Sequence, residues 1–332
     1  MKRSKKIWPS VVASLLVAIG VAAWIVIKQL PDLITVEYET NHYESSDTFE
    51  RIYLVADEVD VSFTVSPDGI CRVECYEPAK DTHKVTMKGG TLLLQKESKK
   101  AWYEYFGVRL ETPKITVSLP SAVCNTFFVE KNGGKLTVQK GLSFKTVEIV
   151  QPAGDISFSG TAEYKVKITS ADGNISLQDV TVDYLDLHAG TGRLSVDGLS
   201  CKNVSARTPT GGADFSNVSC GYFMENGTAG DLSLKQVTVE QTLSAKKTTG
   251  NVQLDAVDAR SYIIETDSGD VTGSLRSGKW FHIKTATGYV DVPKNTSGGN
   301  CSVTTNTGDV ILTVEETEAK AGEASAPDRK RS

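Results

Sequence analysis

The sequence predicts an all-β protein: a single-stranded, right-handed parallel β-solenoid of about ten coils, each of 19 to 20 residues, preceded by one N-terminal transmembrane helix. Two observations predict the solenoid, a glycine corner that recurs at a fixed period and apolar pairs that keep a fixed distance from it. The right hand follows the general preference of parallel β crossovers. A long uncharged segment near the N-terminus predicts the helix.

Composition sets the broad class of the protein. The chain has 332 residues, of which 39% are hydrophobic and 23% are charged, so it can bury a core and is not disordered overall. Its net charge of -5 comes with no basic stripe. We therefore expect no nucleic-acid partner, because phosphates demand clustered Lys and Arg.

The N-terminal segment predicts a membrane anchor. No charged residue occurs from Ile7 to Ile27, and a helix of that length matches the hydrocarbon thickness of a bilayer. Basic residues precede the segment and an acidic, polar stretch follows it, so we expect the N-terminus in the cytoplasm and the rest outside. A cleaved signal peptide with Ala22 and Ala23 at the cut is the alternative, but the apolar run continues beyond them from Trp24, which favours an uncleaved anchor.

One glycine marks the same corner of every coil. The motif T-x-[ST]-G-[DN]-[VI] recurs, for example as TDSGDV from Thr266 and TNTGDV from Thr305. Glycine accepts a positive φ without steric cost, so the motif predicts a sharp turn of that conformation at each corner. The Asp or Asn that follows is expected to bond the turn backbone and to form a polar ladder. The structural turn glycines are Gly134, Gly154, Gly173, Gly192, Gly211, Gly230, Gly250, Gly269, Gly288 and Gly308.

Apolar residues keep fixed positions relative to that glycine. Pairs stand two and four residues after it, seven and nine after it, and seven and five before it. Each pair has the period of a strand, so one coil contributes three short strands, and Ile156, Ile175 and Leu194 should be neighbours in consecutive layers. The predicted segments are a cytoplasmic basic tail (1–6), an anchor (7–27), a stalk (28–49), an N-terminal β lead-in or cap (50–133), the solenoid (134–314) and a disordered tail (315–332).

Two places depart from the repeat. Around Met224, Glu225 and Gly227 the inward position holds a glutamate, and Gly273 stands where a large apolar residue is expected. At each place a shifted register or β-bulge is favoured over a functional pocket.

Six cysteines fall on apolar positions of strands. Cys71 and Cys75 are four residues apart on one strand, too far to bridge. We expect all six to be small buried hydrophobic residues. Cys201 and Cys220 lie one repeat apart, and the sequence leaves open whether they form a disulfide.

Once its corner motif is recognised, the chain resembles the bacterial family DUF4097, whose members are adhesin-like β-strand-repeat proteins. The lead-in VADEVDVSFTVSPDGICRVECYE, then MKGGTLLLQK and PKITVSLPS, carries the resemblance together with the repeats, from about Ile52 to Val314. The resemblance implies an extracytoplasmic β-solenoid tied to the cell envelope. No catalytic residues are established for the family, so it implies none here.

An aromatic run outside the repeat is the one candidate contact surface. It is predicted either to bind a partner or a membrane interface, or to cover the open first coil, and the cap is favoured. The four histidines have no metal-ligand spacing, and no nucleophile motif occurs, so we expect no catalytic, cofactor or metal site. The residues of the aromatic run are Trp102, Tyr103, Tyr105 and Phe106.

The sequence favours a non-enzymatic binding or adhesion module, anchored in the membrane and exposed outside it. Its expected partners are the membrane and either wall polymer, an envelope protein or a membrane-active peptide. An accessory or sensor of envelope-stress signalling is the alternative. A carbohydrate-active enzyme ranks last, because paired carboxylates on one outward face are missing from the pattern.

Overall fold

The computed structural model describes residue 24 and residues 36–98, 111–121, 123–294 and 297–315. Within these ranges the chain forms one sheet of 22 strands, wound into a β-solenoid of about ten turns. No helix in the described ranges is long and apolar enough to cross a bilayer. The predicted anchor (7–27) lies outside them apart from Trp24, as does the tail from residue 316 onward.

The strands follow the predicted apolar pairs. In the central layers the three strands expected for one coil join into one long bent strand, because the ladder to the next layer continues through the corners between them. The strands are β1 (Tyr38–Ser45), β2 (Arg51–Glu58), β3 (Asp60–Val65), β4 (Cys71–Pro78), β5 (Asp81–Lys88), β6 (Thr91–Ser98), β7 (Lys114–Leu119), β8 (Cys124–Gly133), β9 (Leu136–Val138), β10 (Ser143–Ala153), β11 (Ile156–Phe158), β12 (Thr161–Asp172), β13 (Ile175–Ala189), β14 (Leu194–Thr208), β15 (Ala213–Gly227), β16 (Leu232–Lys246), β17 (Val252–Glu265), β18 (Val271–Leu275), β19 (Lys279–Lys284), β20 (Val290–Asp291), β21 (Gly299–Thr304) and β22 (Val310–Val314).

The predicted register between layers is confirmed in the centre of the stack. Ile156 pairs with Ile175, and Ile175 pairs with Leu194, all in parallel. All three side chains are almost fully buried. The apolar pairs therefore form continuous ladders along the core, and each layer protects its neighbours from water.

The N-terminal end of the stack is closed by antiparallel strands. Strand β2 pairs in parallel with β6 on one side and with β8 on the other, and β3 does the same with β7 and β9. The stacked layers therefore begin before residue 134, where the solenoid was predicted to start. Beyond them, β5 pairs antiparallel with β6, β4 with β7, and β1 with β4. Strand β1 occupies part of the segment predicted as a stalk.

The C-terminal layers do not stack in chain order. Val271 pairs with Val310 rather than with Val290. Val290 also pairs with Val310, so that β22 lies between β18 and β20. Likewise β21 lies between β17 and β19. The prediction of consecutive stacking is therefore wrong for the last two coils, because the final segment of the chain enters between the coil before it and the rest of the solenoid.

The corner glycines stack as predicted, but positive φ explains only part of the requirement. Among the ten turn glycines, only Gly134, Gly154 and Gly230 have positive φ, at 79°, 91° and 87°. At the other seven the reason is close approach: a Cβ on Gly192 would lie 1.9 Å from the carbonyl oxygen of Gly173. Glycine is needed there because the layers, about 4.8 Å apart, leave no room for a side chain at this corner.

The polar ladder beside the glycines is confirmed, and its bonds run between layers. The backbone N–H of Asn174 donates to Asp155 Oδ1 at 3.0 Å, and that of Asp270 donates to Asn251 Oδ1 at 2.9 Å. Asp309 in turn donates its N–H to Asp270 Oδ1 at 2.8 Å, although 39 residues separate them. The ladder thus repeats the stacking order found for the C-terminal layers.

A second corner, not predicted from the sequence, uses left-handed residues. Six positions after the turn glycine, five consecutive layers place one residue each at a φ between 51° and 73°. Asp, Asn and Gly are usual in this conformation, whereas Gln and Ala are strained by it. The five residues are Asp179, Gly198, Asn217, Gln236 and Ala256.

The cysteines are free thiols among the described strands, and five of the six are buried. Cys201 is half-buried and lies directly beside Cys220 in the parallel register of β14 and β15. Cys71 and Cys75 both point into the core from β4. The predicted role as small hydrophobic residues is confirmed for the buried five.

Candidate binding surface

A shallow groove of about 440 Å³ opens on the outer face of β14, β15 and β16. Gly221 is part of its lining, and a Cβ at this position would lie 2.7 Å from the carbonyl oxygen of Lys202. Glycine is therefore required by the backbone beneath it, and the missing side chain leaves the surface open. We call this feature the Gly221 groove, and its lining residues are Ser200, Cys201, Lys202, Asn203, Ser219, Cys220, Gly221, Tyr222, Glu240 and Gln241.

An inserted residue builds one wall of the Gly221 groove. The register between β15 and β16 shifts between Cys220 and Phe223, where β16 has one residue more. The extra residue explains why Gly230 and Gly250 are separated by 20 residues. The extra residue falls in the β-bulge between Val239 and Leu243, and two residues of this bulge, Glu240 and Gln241, line the groove.

On the opposite side of the groove, the lining residue Lys202 forms an ion pair. Lys202 Nζ donates to Asp183 Oδ2 at 2.7 Å, one layer further back. This hydrogen bond and the charge of Asp183 raise the pKa of Lys202, so the ammonium stays charged. The charges of Lys202 and Asp183 therefore offset each other beside the groove.

Two tyrosines lie on one column of the sheet, Tyr222 in the lining of the groove and Tyr184 one layer beyond Asn203 at its edge. Tyr184, Asn203 and Tyr222 occupy equivalent positions in three consecutive layers. Both tyrosine side chains are 52% exposed, so a ring face is available to a ligand. The two rings are two layers apart, a separation of about 10 Å on a rigid sheet.

A buried ion pair lies inside the solenoid behind this surface. Lys247 Nζ is 2.7 Å from Glu225 Oε1, and both side chains are fully buried. Thr208 Oγ1 donates to the same carboxylate oxygen at 2.6 Å, while Glu225 Oε2 has no hydrogen-bond partner within the described ranges. Burial raises the pKa of Glu225, against the lowering effect of Lys247.

The bulge expected at Glu225 is therefore wrong, and the bulge expected at Gly273 is confirmed. Glu225 stays in register with Ala206 and Ala245, and it points inward because Lys247 neutralises it. At Gly273 the register does shift between β17 and β18, and the glycine has a φ of 136°. A functional pocket is not needed to explain either position.

The N-terminal cap holds a buried histidine and carboxylate pair. His83 Nδ1 lies 2.6 Å from Glu77 Oε2, and the His83 N–H donates to Glu77 Oε1 at 2.8 Å. Lys96 bonds to Asp57 and to Asp81 nearby. The adjoining cavity measures about 10 Å³, which is room for a single water rather than for a substrate.

The Gly221 groove was not predicted from the sequence, and the prediction of an aromatic contact surface stays untested. Trp102, Tyr103, Tyr105 and Phe106 lie outside the described residues. The sequence did contain a signal for this surface: Tyr184 and Tyr222 each stand eight residues before a turn glycine, in alternate coils. The predicted turn glycines form the corner column rather than a ligand site.

Comparison with known proteins agrees with the repeat. The family described as Toastrack DUF4097 matches residues 49–222 and 210–328, and no curated protein matches the chain. A solved "putative lipid binding protein" from Parabacteroides distasonis is 15% identical, with 83% of this chain and 97% of that chain covered and a TM-score of 0.47. A "putative adhesin" from Parabacteroides merdae is 14% identical, with coverage of 83% and 96% and a TM-score of 0.46. Another from Bacteroides fragilis is 14% identical, with coverage of 85% and 99% and a TM-score of 0.36. Because the family match spans most of the chain and nearly all of its described strands, the protein belongs to the DUF4097 (Toastrack) family.

Proposed function

We propose that this protein is a non-enzymatic binding and adhesion module of the cell envelope, and that the Gly221 groove binds an uncharged glycan chain. The exposed pair Tyr184 and Tyr222 on either side of Asn203 carries the proposal. Sugar rings present apolar C–H faces that stack on aromatic rings, while amide groups bond their hydroxyls. The spacing of about 10 Å between the two rings suits every second sugar unit of an extended chain.

The charges of the groove support an uncharged ligand over an anionic one. Lys202 is already paired with Asp183, and Glu240 adds a negative charge at the opposite wall. An anionic wall polymer or a phospholipid headgroup would require unpaired basic residues. Amide and hydroxyl groups of Asn203, Gln241 and Ser219 remain as hydrogen-bonding partners.

The proposal includes a location for the solenoid. We place the solenoid outside the cytoplasmic membrane, tethered by residues 7–27, from the charge asymmetry of the sequence. The buried His83 and Glu77 pair is not proposed as a substrate site, because the adjoining cavity has room for a single water only. The alternative of a stress sensor depends on residues 1–28, and of these the structure describes only Trp24.

A co-sedimentation experiment tests the proposal. The full chain in detergent is mixed with insoluble cell-wall glycan, and the bound fraction is measured. Tyr222→Ala should weaken binding about tenfold, because an aromatic contact contributes about 1.4 kcal/mol. Tyr289→Ala is the matched control, since that tyrosine is 62% exposed but lies on the glycine corner at the far end of the rod. Equal binding by wild type and Tyr222→Ala, or turnover of the glycan, would contradict the proposal.

A further inference from the structure

The C-terminal end of the described stack is open. Strand β19 pairs only with β21, and β20 pairs only with β22, so in the described ranges each has one free edge. Phe281 and Ile283 point toward the core from β19 but are only half-buried. Cys301 and Val303, which occupy the same columns one layer further in, are fully buried. Among the residues that the structure describes, nothing therefore covers the apolar side chains of the last layer.

Neither the chain's own tail nor the N-terminal end of another copy suits this surface. Residues 316–332 contain only alanine and proline as apolar residues, too small to replace the missing contacts. The N-terminal end already carries its own antiparallel strands, and the outermost strand β1 is mostly polar and exposed. Polar edge strands of this kind oppose pairing with a further strand.

We propose that the open end binds the open end of a second copy of this chain, with the two β19 strands antiparallel across a two-fold axis. Such a contact uses one surface twice and closes on itself, so it yields a dimer rather than a filament. It joins the solenoids through the ends distal to their N-termini. The inference concerns a different surface from the Gly221 groove and does not depend on glycan binding.

The backbone of β19 fixes which residues direct their backbone groups toward the free edge. Thr305 N–H donates to the carbonyl oxygen of Lys284 at 2.9 Å, so Lys284 directs its backbone groups toward β21. Backbone groups alternate along a strand, so those of Phe281 and Ile283 face the free edge. We centre the antiparallel pair on His282, which places Trp280 opposite Lys284, and these two residues then bond each other across the axis, Phe281 with Ile283 of the second copy.

The outer face of the same pairing is also complementary. His282 lies on the axis, opposite His282 of the second copy. Trp280, whose side chain is 47% exposed, lies opposite Lys284 of the second copy. An ammonium group beside an indole ring is a favourable pair, and apolar and aromatic residues directly opposite each other stabilise a sheet.

Disulfide trapping of the full chain in detergent tests the dimer. Residues at a non-hydrogen-bonded antiparallel position have Cα atoms about 4.5 Å apart, within the range of a disulfide. His282→Cys should therefore give a cross-linked dimer under mild oxidation. Ser302→Cys is the control, because Ser302 is the neighbour of His282 one layer further in, on the same outer face. It should remain uncross-linked.

Sedimentation in density-matched detergent provides a second measurement that needs no new cysteine. Wild-type protein should sediment as a dimer at micromolar concentration, and Trp280→Ala should dissociate at least several-fold more readily while keeping its β circular dichroism. Monomeric wild-type protein overturns the proposal. So does cross-linking of Ser302→Cys to the same extent as His282→Cys, because that result would indicate random collision.

Discussion

Replacing Lys247 with methionine should lower the free energy of unfolding by about 3 to 5 kcal/mol at pH 8, the range seen when one partner of a buried ion pair is removed. The ammonium is fully buried and lies 2.7 Å from Glu225 Oε1. The Lys247 side chain runs past Gly227, and a Cβ added to that glycine would lie 2.5 Å from Lys247 Nζ. Because Gly227 has no side chain, a methionine at position 247 can follow the same path. The loss therefore measures the unpaired carboxylate rather than a steric clash.

The unfolding free energy lost in Lys247→Met should decrease as the pH falls. Burial already raises the pKa of Glu225 in the folded protein, and Lys247 opposes that rise. A raised folded pKa gives stability that is present below the unfolded pKa and is lost as the pH rises through the folded pKa. Without Lys247 the folded pKa rises further, at about 1.4 kcal/mol per unit, so the deficit of Lys247→Met shrinks as the pH falls from 8 to 5.

Urea unfolding followed by circular dichroism at both pH values is the assay. Lys246→Met is the matched control, because Lys246 pairs with Glu265 at 2.9 Å with both side chains about half exposed. Its loss should stay below about 1 kcal/mol. The double variant Glu225→Gln with Lys247→Met should lose less than the sum of its single variants. Equal losses for Lys247→Met and Lys246→Met, or no change with pH, would refute the reasoning.

Three further predictions concern the corners and a second buried lysine. Gly192→Ala should destabilise the fold by about 3 kcal/mol in urea melts, because its Cβ would lie 1.9 Å from a backbone oxygen; Gly69→Ala, where a Cβ meets open space, should cost about 1 kcal/mol for its positive φ. Gln236→Val should cost about 1 to 2 kcal/mol because a β-branched residue resists the φ of 53°, whereas Gln236→Gly should be neutral or slightly stabilising in the same melts. Lys131 is fully buried, and burial lowers its pKa to about 8. A depressed lysine pKa is a penalty that is relieved as the pH rises from about 8 toward the unfolded value, so wild-type stability should gain about 3 kcal/mol relative to Lys131→Met between pH 8 and 10.5. A constant difference over that range would contradict the last prediction.

Repeat spacing predicted the core because one geometric condition governs every layer. Ile156, Ile175 and Leu194 must point inward at the same offset from their corners, and the paired register follows from that. The spacing does not decide between Val290 and Val310 as the partner of Val271, since both coils carry the same motif.

Contacts that distinguish the two C-terminal coils come from glycines. A Cβ on Gly299 would lie 1.8 Å from the carbonyl oxygen of Arg260, so only a coil with glycine there can stack on β17. The coil that contains β19 has Lys279 at that position. The dipeptide Gly298-Gly299 was therefore the available signal for the inverted order, although a sequence pattern alone does not show which backbone atoms meet.

Of the buried ion pair in the core, the sequence pattern identified the carboxylate but not the lysine. Glu225 was visible as a glutamate at an inward position, but its partner Lys247 lies 22 residues away and just before a corner. The Gly221 groove was missed for a related reason: it depends on where within a 20-residue coil the extra residue falls. Both features depend on side-chain positions in neighbouring layers, which the period of the repeat does not specify.

The inverted order of the last two coils governs what shortening the chain would do. Strand β21 is bonded to β17 and β19, and β22 to β18 and β20, so they cannot peel away as the last layer of an ordinary repeat protein does. Deleting them would leave a gap inside the rod and would detach the coil of β19 and β20, instead of producing a rod one layer shorter. During synthesis that coil emerges first, and it has to leave a vacant slot for the segment that follows it.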